Sequence, residues 1–386
     1  MTSGTSEISS HCGSAAASPP IAAPFNALRK RLGIWRLRRW AHDSPRAVQA
    51  AAVDAWRHVH LTATDVRHIH LVREAGLRRN WDFFRWLEEN EPATARLFRH
   101  TTTVGPLARP AAGTALLIPW LWDPVRERNQ SLYRRLRALE KRYERAGIPI
   151  VNPVSHLSNA IKSVALTRLR DAGFATARAL RLTAESTFDA IAVAVGLPFI
   201  VRNDHGSRGY VQLVYTSADF QQVDWTQLPH PVALEYLDTR SADGRYRKYR
   251  YLVTGDTGIN RHLIIAQSWC VHADDRIRRQ AYVKEELAFL HEPNPYQEQL
   301  IHAARILSLD FAAFDYGIDR AGRLVIWEAN PFPGLWPPSY DQNRDYDYQR
   351  AWVDNVFRHI LRFYLRRAGL DRETLGDKHG RLHRYF

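Results

Sequence analysis

The stretch AAFDYGIDRAGRLVIWEANPF, residues 312–332, reads as a β-hairpin with chemistry on one face. Asp319-Arg320-Ala321-Gly322 has turn composition: an aspartate that can bond its own backbone and a glycine at the end. A turn closed there sets Asp319 against Gly322, Ile318 against Arg323 and Asp315 against Ile326. Side chains alternate along a strand, so Asp315, Ile326, Glu328 and Asn330 are expected on one face, with Val325 and Trp327 on the other. Two carboxylates and an amide oxygen then lie within one diagonal step of each other. An all-oxygen set of this kind suits Mg²⁺, which binds through a few carboxylates together with phosphate oxygens and water. A solvated acidic face satisfies the same pattern, so the hairpin alone leaves both readings open. Pro331-Phe332-Pro333-Gly334 then turns the chain sharply away.

Upstream, IVRNDHGSRGYVQL (200–213) places Arg202 on a strand before a loop holding Gly206, Ser207 and Gly209. Small residues there let backbone N–H groups approach an anion such as phosphate. A plain hairpin turn has the same composition. No Gly-Lys-Ser/Thr opens a helix here, and strand follows strand, which excludes a P-loop and a dinucleotide-binding fingerprint. Other segments complete a mixed pattern. TALLIPWLW (114–122) reads as a buried strand. A helix capped by Asp123 and opened by Pro124 runs to about 145, and IPIVN (148–152) reads as a second strand, giving a parallel βαβ unit. Helices are expected at 158–172, 185–195, 295–307 and 345–368, and strands at 197–202, 210–216, 232–238, 245–255 and 261–271.

The chain has 386 residues and carries 54 Lys and Arg against 40 Asp and Glu, a formal charge of +14. That excess favours anionic partners such as nucleotides, nucleic acid or acidic membrane. Twelve Trp and fifteen Phe supply a core and exclude global disorder. The longest uncharged apolar run, 190–201, is too short for a membrane span, which takes roughly 18 residues. Cys12 and Cys270 are too few for a disulfide framework or zinc site. Without a signal-peptide pattern at the N-terminus, a cytoplasmic protein is expected. Residues 1–25 read as a disordered tail and 26–110 as a basic helical extension. Within the extension, ALRKRLGIWRLRRW (27–40) either packs its Leu/Trp stripe on the body or binds RNA or acidic lipid weakly through its charges. Basic residues here are mostly Arg. Lysine stands only at 30, 141, 162, 248, 284 and 378, and a retained lysine supplies a compact single-point charge.

Taken in order, Lys162 opening a helix, Arg202 before the glycine loop, VALEYLD (232–238), Lys248-Tyr249-Arg250 on a strand, and Asp315…Glu328-Ala329-Asn330-Pro331 resemble the ATP-grasp superfamily. The likeness is to its carboxylate–amine ligases, similar to glutathione synthetase and the ribosomal-protein glutamate ligases. It covers about 113–340. It implies an α+β ATP-grasp fold: a reduced N-terminal βαβ domain (111–154), a small ATP-grasp subdomain (155–235), a large one (236–340) and a basic helical C-terminal segment (341–386). It further implies that Lys162 and Arg202 contact ATP phosphates, Arg202 standing where the family usually has Lys. Gly206, Ser207 and Gly209 would cover the β- and γ-phosphates, and the backbone of Glu235, Tyr236 and Leu237 would pair with adenine. Arg250 would face the phosphates and an acyl-phosphate, and Asp315, Glu328 and Asn330 would hold Mg²⁺. The implied reaction joins a small-molecule or peptide carboxylate to an amine at the expense of ATP. A nucleotide-binding protein without ligation, associated with RNA or membrane, is the alternative of a different class, and phosphorylation without ligation a third. His262, Trp269 and His272 are candidates for the acceptor side, or ordinary part-buried residues. Trp336 is read as a substrate-stacking or packing residue, and Glu285 and Glu286 as a solvated helix face.

Overall fold

The computed structural model describes residues 67–74, 81–102, 112–206, 209–335 and 344–371. The N-terminal tail, the basic helix expected at 27–40, Cys12, Ser207 and Trp336 lie outside them. The fold is α+β, with three sheets in strand orders β2-β1-β3, β10-β9-β11-β12-β4 and β5-β8-β6-β7.

The first sheet is parallel: β1 (His68–Arg73), β2 (Phe98–Thr102) and β3 (Thr114–Trp120). Helix α1 (Trp81–Asn90) connects the first two strands. Residues 68–73 and 98–102 are therefore strands where a helical extension was expected. Every residue of β1 and β3 is buried, and a strand covered on both faces loses the alternation that identifies it. The expected strand at 148–152 contributes only a parallel bridge from Ile150 to Leu117. The helix before it is broken: a short turn at Val125–Arg128, then α2 (Gln130–Arg145), whose cap is Asn129 accepting from the Leu132 amide, and not Asp123.

Helix α3 (Lys162–Asp171) leads to β4 (Ala175–Thr176) on the edge of the five-stranded sheet. The chain then crosses directly to β5 (Ala179–Arg181) in the four-stranded sheet. That sheet continues through α4 (Phe188–Val195), β6 (Phe199–Asn203), β7 (Val211–Val214) and β8 (Pro231–Glu235). The five-stranded sheet is completed by β9 (Tyr246–Thr254), β10 (Thr257–Ala266), α5 (Gln280–His291), α6 (Gln297–Ile306), β11 (Phe311–Ile318) and β12 (Leu324–Asn330). Helix α3 belongs to both halves. Ala165 and Leu169 pack with Phe314 and Ile326 of the larger sheet, and Leu166 packs with Val232 and Leu234 of the smaller. Its N-terminus therefore opens where the two sheets meet. The closing helix α7 (Arg350–Ala368) carries five arginines and a buried apolar set that includes Phe357, Ile360 and Tyr364. Phe357, Ile360 and Tyr364 join the parallel sheet to Leu252 and Phe311 of the five-stranded one.

Candidate nucleotide and metal site

The hairpin register differs from the alternating one. Ile318, Gly317 and Tyr316 pair with Leu324, Val325 and Ile326, but Asp315 pairs with Glu328, so β12 bulges by one residue at Trp327. At the bulge the Trp327 ring lies over Gly317, where an added Cβ would stand 2.5 Å from it. Asp315 thus faces Glu328 and not Ile326. Ile326 lies on the opposite face, in the apolar cluster with Phe314 and Tyr316.

Asp315 also pairs in register with Arg250 of β9, which pairs with His262 of β10. His262, Arg250, Asp315 and Glu328 therefore form one row across four strands. Arg250 binds Asp315 through two contacts, Nε–Oδ1 at 2.5 Å and Nη2–Oδ2 at 2.8 Å. Lys248, two residues before Arg250 on the same face, brings Nζ to 4.0 Å from Asp315 Oδ2. From the N-terminus of α3, Lys162 reaches to 3.6 Å from Glu328 Oε1 and donates to the Gly206 carbonyl in the glycine loop. Arg202 on β6 brings a buried Nε that has no hydrogen-bond partner among the described residues. Asn330 is buried, and its Oδ1 accepts from the Phe332 amide at 3.0 Å.

Four cations thus meet two carboxylates in a buried setting, where unpaired charge is costly. Burial pushes the Lys162 ammonium below its ordinary pKa despite Glu328. It does the same to Lys248 despite Asp315, and to Arg202 despite Glu328 and Asp204. Burial disfavours the Asp315 carboxylate as well, but the adjacent Arg250 outweighs it and holds Asp315 below the usual carboxylate range. Asp204 and Asp123 also bear on Lys162, so carboxylates and cations are interleaved around the start of α3. Both glycines of the loop have positive φ, +77° at Gly206 and +141° at Gly209, conformations that side-chain-bearing residues rarely adopt.

Three residues around the site were missed or undervalued in the sequence. Lys248 carries the same signal as Lys162, a lysine kept in an arginine-rich chain. Asp204 is buried and anchors the start of α3, accepting from the Ser163 amide at 2.8 Å and its hydroxyl at 2.7 Å. His262 shares the row with Arg250, and its Nε2 is buried with no hydrogen-bond partner among the described residues. Burial and then Arg250 push its pKa well below the histidine range. Glu286, read as solvated, is a buried acceptor for Arg276, Tyr348, Gln349 and the Leu263 amide.

Towards the start of β9 the floor changes character. Tyr246, Ile264, Ala266, Val271 and Trp269 form an apolar cluster. Tyr236 meets Trp269 edge to face at 5.9 Å and Tyr246 through hydroxyls 3.2 Å apart. Trp269 therefore stands beside 235–237. His272 lies on the same loop, 3.5 Å from Cys270 Sγ. Among 235–237, the Glu235 amide is bonded to the Arg178 carbonyl and the Tyr236 amide to the Pro198 carbonyl. The Glu235 carboxylate takes the Arg178 guanidinium at 3.0 and 3.2 Å. The Leu237 amide has no backbone partner among the described residues.

A cleft lined by Lys162, Asp204, His205, Gly206, Glu328 and Asn330 opens between the sheets, with Trp122 and Asp123 at its margin. Among the described residues no group of three or more His, Cys, Asp or Glu side chains forms a metal cage. Asp315, Glu328 and Asn330 carry the oxygen donors that Mg²⁺ takes together with phosphate oxygens and water, with both Asp315 oxygens held by Arg250 here.

No protein-family model matches the sequence, and no curated protein is similar to it. Solved structures of ATP-grasp ligases resemble it in overall architecture. The ATP-grasp ligase PsnB complexed with a minimal precursor is 16% identical, with 76% of this chain and 99% of that one covered and a TM-score of 0.44. The D-alanine–D-alanine ligase of Coxiella burnetii is 12% identical, with 80% and 97% covered and a TM-score of 0.49. The corresponding ligase of Bacillus anthracis is 14% identical, with 77% and 99% covered and a TM-score of 0.47. Among the described residues no helix is long and apolar enough to cross a membrane.

Proposed function

We propose that this chain is an ATP- and Mg²⁺-dependent ligase that joins a carboxylate to an amine through an acyl-phosphate. The observation that carries the reading is the Arg250–Asp315–Glu328 row, with Asp315 buried and Lys162, Arg202 and Lys248 around it. The aromatic and apolar floor at Tyr236, Tyr246 and Trp269 suits a base, and the cationic floor at Lys248 and Arg250 suits phosphates. The Leu237 amide is available to the edge of a purine.

In this mechanism Lys162 and Arg202 hold the phosphates, and a phosphate supplies an acceptor for the buried Arg202 Nε, which has none among the described residues. Asp315, Glu328 and Asn330 would hold Mg²⁺, which when bound neutralises phosphate charge and polarises the phosphoryl group. The substrate carboxylate attacks the γ-phosphorus and ADP leaves. The amine then attacks the acyl carbon, and phosphate departs with its bonding electrons. Arg250, fixed by two bonds to Asp315, is placed to balance the oxyanion formed in that second step. The direct test measures ADP and phosphate release across a panel of amino acids, peptides and small carboxylic acids, with mass spectrometry of the products. A dehydrated carboxylate–amine adduct formed with stoichiometric ADP supports the reading. A phosphorylated product without ligation replaces it with a kinase.

A further inference from the structure

His205 follows β6 at the base of the glycine loop and lines the cleft with Lys162 and Gly206. Its backbone is pinned. Asn203 Nδ2 donates to the His205 carbonyl at 2.6 Å, and Asn203 Oδ1 accepts from the His230 amide at 2.9 Å. The Asp204 amide donates to the His230 carbonyl at 2.7 Å. The two imidazoles face each other with centroids 4.0 Å apart and planes tilted by 34°. Two rings so close hold one proton far more readily than two. The mechanism above uses neither ring, yet one of them borders the place where it puts the phosphates.

We propose that His205, stacked on His230, contacts the terminal phosphates of the bound nucleotide and becomes a cation as they arrive. This rests on the nucleotide reading of the cleft. The groups that bear on the ring come from several elements: His230 ahead of β8, Arg181 on β5, Asp204 beside it in the chain, and Glu127 in the turn after β3. Burial, then His230, and last Arg181 disfavour the imidazolium, while Asp204 and Glu127 favour it, and the balance lies below the ordinary histidine range. With no anion in the cleft His205 is therefore neutral at pH 7. An arriving polyphosphate reverses the balance. One proton passes from solvent to a ring nitrogen, no bond of the nucleotide breaks, and the imidazolium adds an N–H donor to the cleft that Lys162 lines.

The test is calorimetry of the full chain with MgATP and with AMP, from pH 6 to 8.5, in buffers of different ionisation enthalpy. Wild type is compared with His205→Gln and His230→Gln. Wild type takes up part of a proton per MgATP near neutral pH, and its affinity falls as pH rises, by at most about tenfold per pH unit. His205→Gln loses that uptake and that slope, and His230→Gln moves the uptake to higher pH. AMP shows neither effect. Protonation of ATP itself is common to all three proteins and cancels. Wild-type uptake and slope retained in His205→Gln, or equal uptake with AMP, overturns the His205 contact while leaving the nucleotide site standing. Absence of MgATP binding to wild type overturns the nucleotide site and the contact with it.

Discussion

Asp315 and Glu328 stand directly opposite each other on β11 and β12 because β12 bulges at Trp327. Like charges in that position repel. Here the repulsion is met from three sides: Arg250 and Lys248 approach Asp315, and Lys162 approaches Glu328. A charge pattern of this kind suits a site whose last partners are a metal ion and a polyanion.

Glu328→Gln keeps the shape of the side chain and removes the charge. It is expected to abolish the Mg²⁺-dependent part of ATP affinity and to cut turnover by about 100-fold or more, the scale for removing one electrostatic group from a reaction centre. Circular dichroism should match wild type. Unchanged Mg²⁺ dependence in calorimetry contradicts the metal assignment.

Lys162→Met retains the buried stem and removes the ammonium. ATP affinity should weaken by about 1–3 kcal/mol, the range for a charged hydrogen bond. Equal affinity in titration calorimetry removes Lys162 from the phosphate site.

Asp204→Ala leaves the start of α3 without the acceptor for the Ser163 amide and hydroxyl. A stability loss of about 2–4 kcal/mol is expected in urea unfolding. Because Lys162 opens the same helix, ATP affinity should fall too. Asp204→Asn, which keeps an acceptor oxygen, should recover part of both. If both variants unfold like wild type, the anchoring role is wrong.

Glu140 in α2 is fully buried, accepts from the Val154 amide at 2.6 Å, and has its pKa raised from 4.5 to about 7, chiefly by burial. A carboxyl raised on folding binds its proton more tightly in the native state. Its contribution is therefore most favourable below about pH 4.5 and is lost as pH rises through about 7. Glu140→Gln lacks this titration. Relative to Glu140→Gln, wild type should lose up to about 3 kcal/mol between pH 5 and 8 in urea unfolding. A constant difference across that range contradicts the assignment.

Much of the site was legible because its residues sit in short local patterns. The turn at 319–322 and the carboxylates around it identify the hairpin, and Lys162 stands out in a chain that prefers arginine. What the sequence hides is contact at long range. The bulge at Trp327 that pairs Asp315 with Glu328 is contained in no alternation rule. Glu286 reads as solvated until Tyr348, 62 residues later, folds back onto it. The strand HIHLVR at 68–73 carries polar residues at buried places, where His70 is satisfied by Tyr143 and Thr101, and so it loses its strand signature.

The most direct measurement of the central claim is a crystal structure of the full chain with Mg²⁺ and a non-hydrolysable ATP analogue. The account predicts the base against Tyr236 and Leu237, the phosphates on Lys162 and Arg202, and metal density on Asp315, Glu328 and Asn330. A nucleotide bound elsewhere, or phosphates in this cleft with Asp315 and Glu328 still paired only to Arg250 and Lys162, would contradict it.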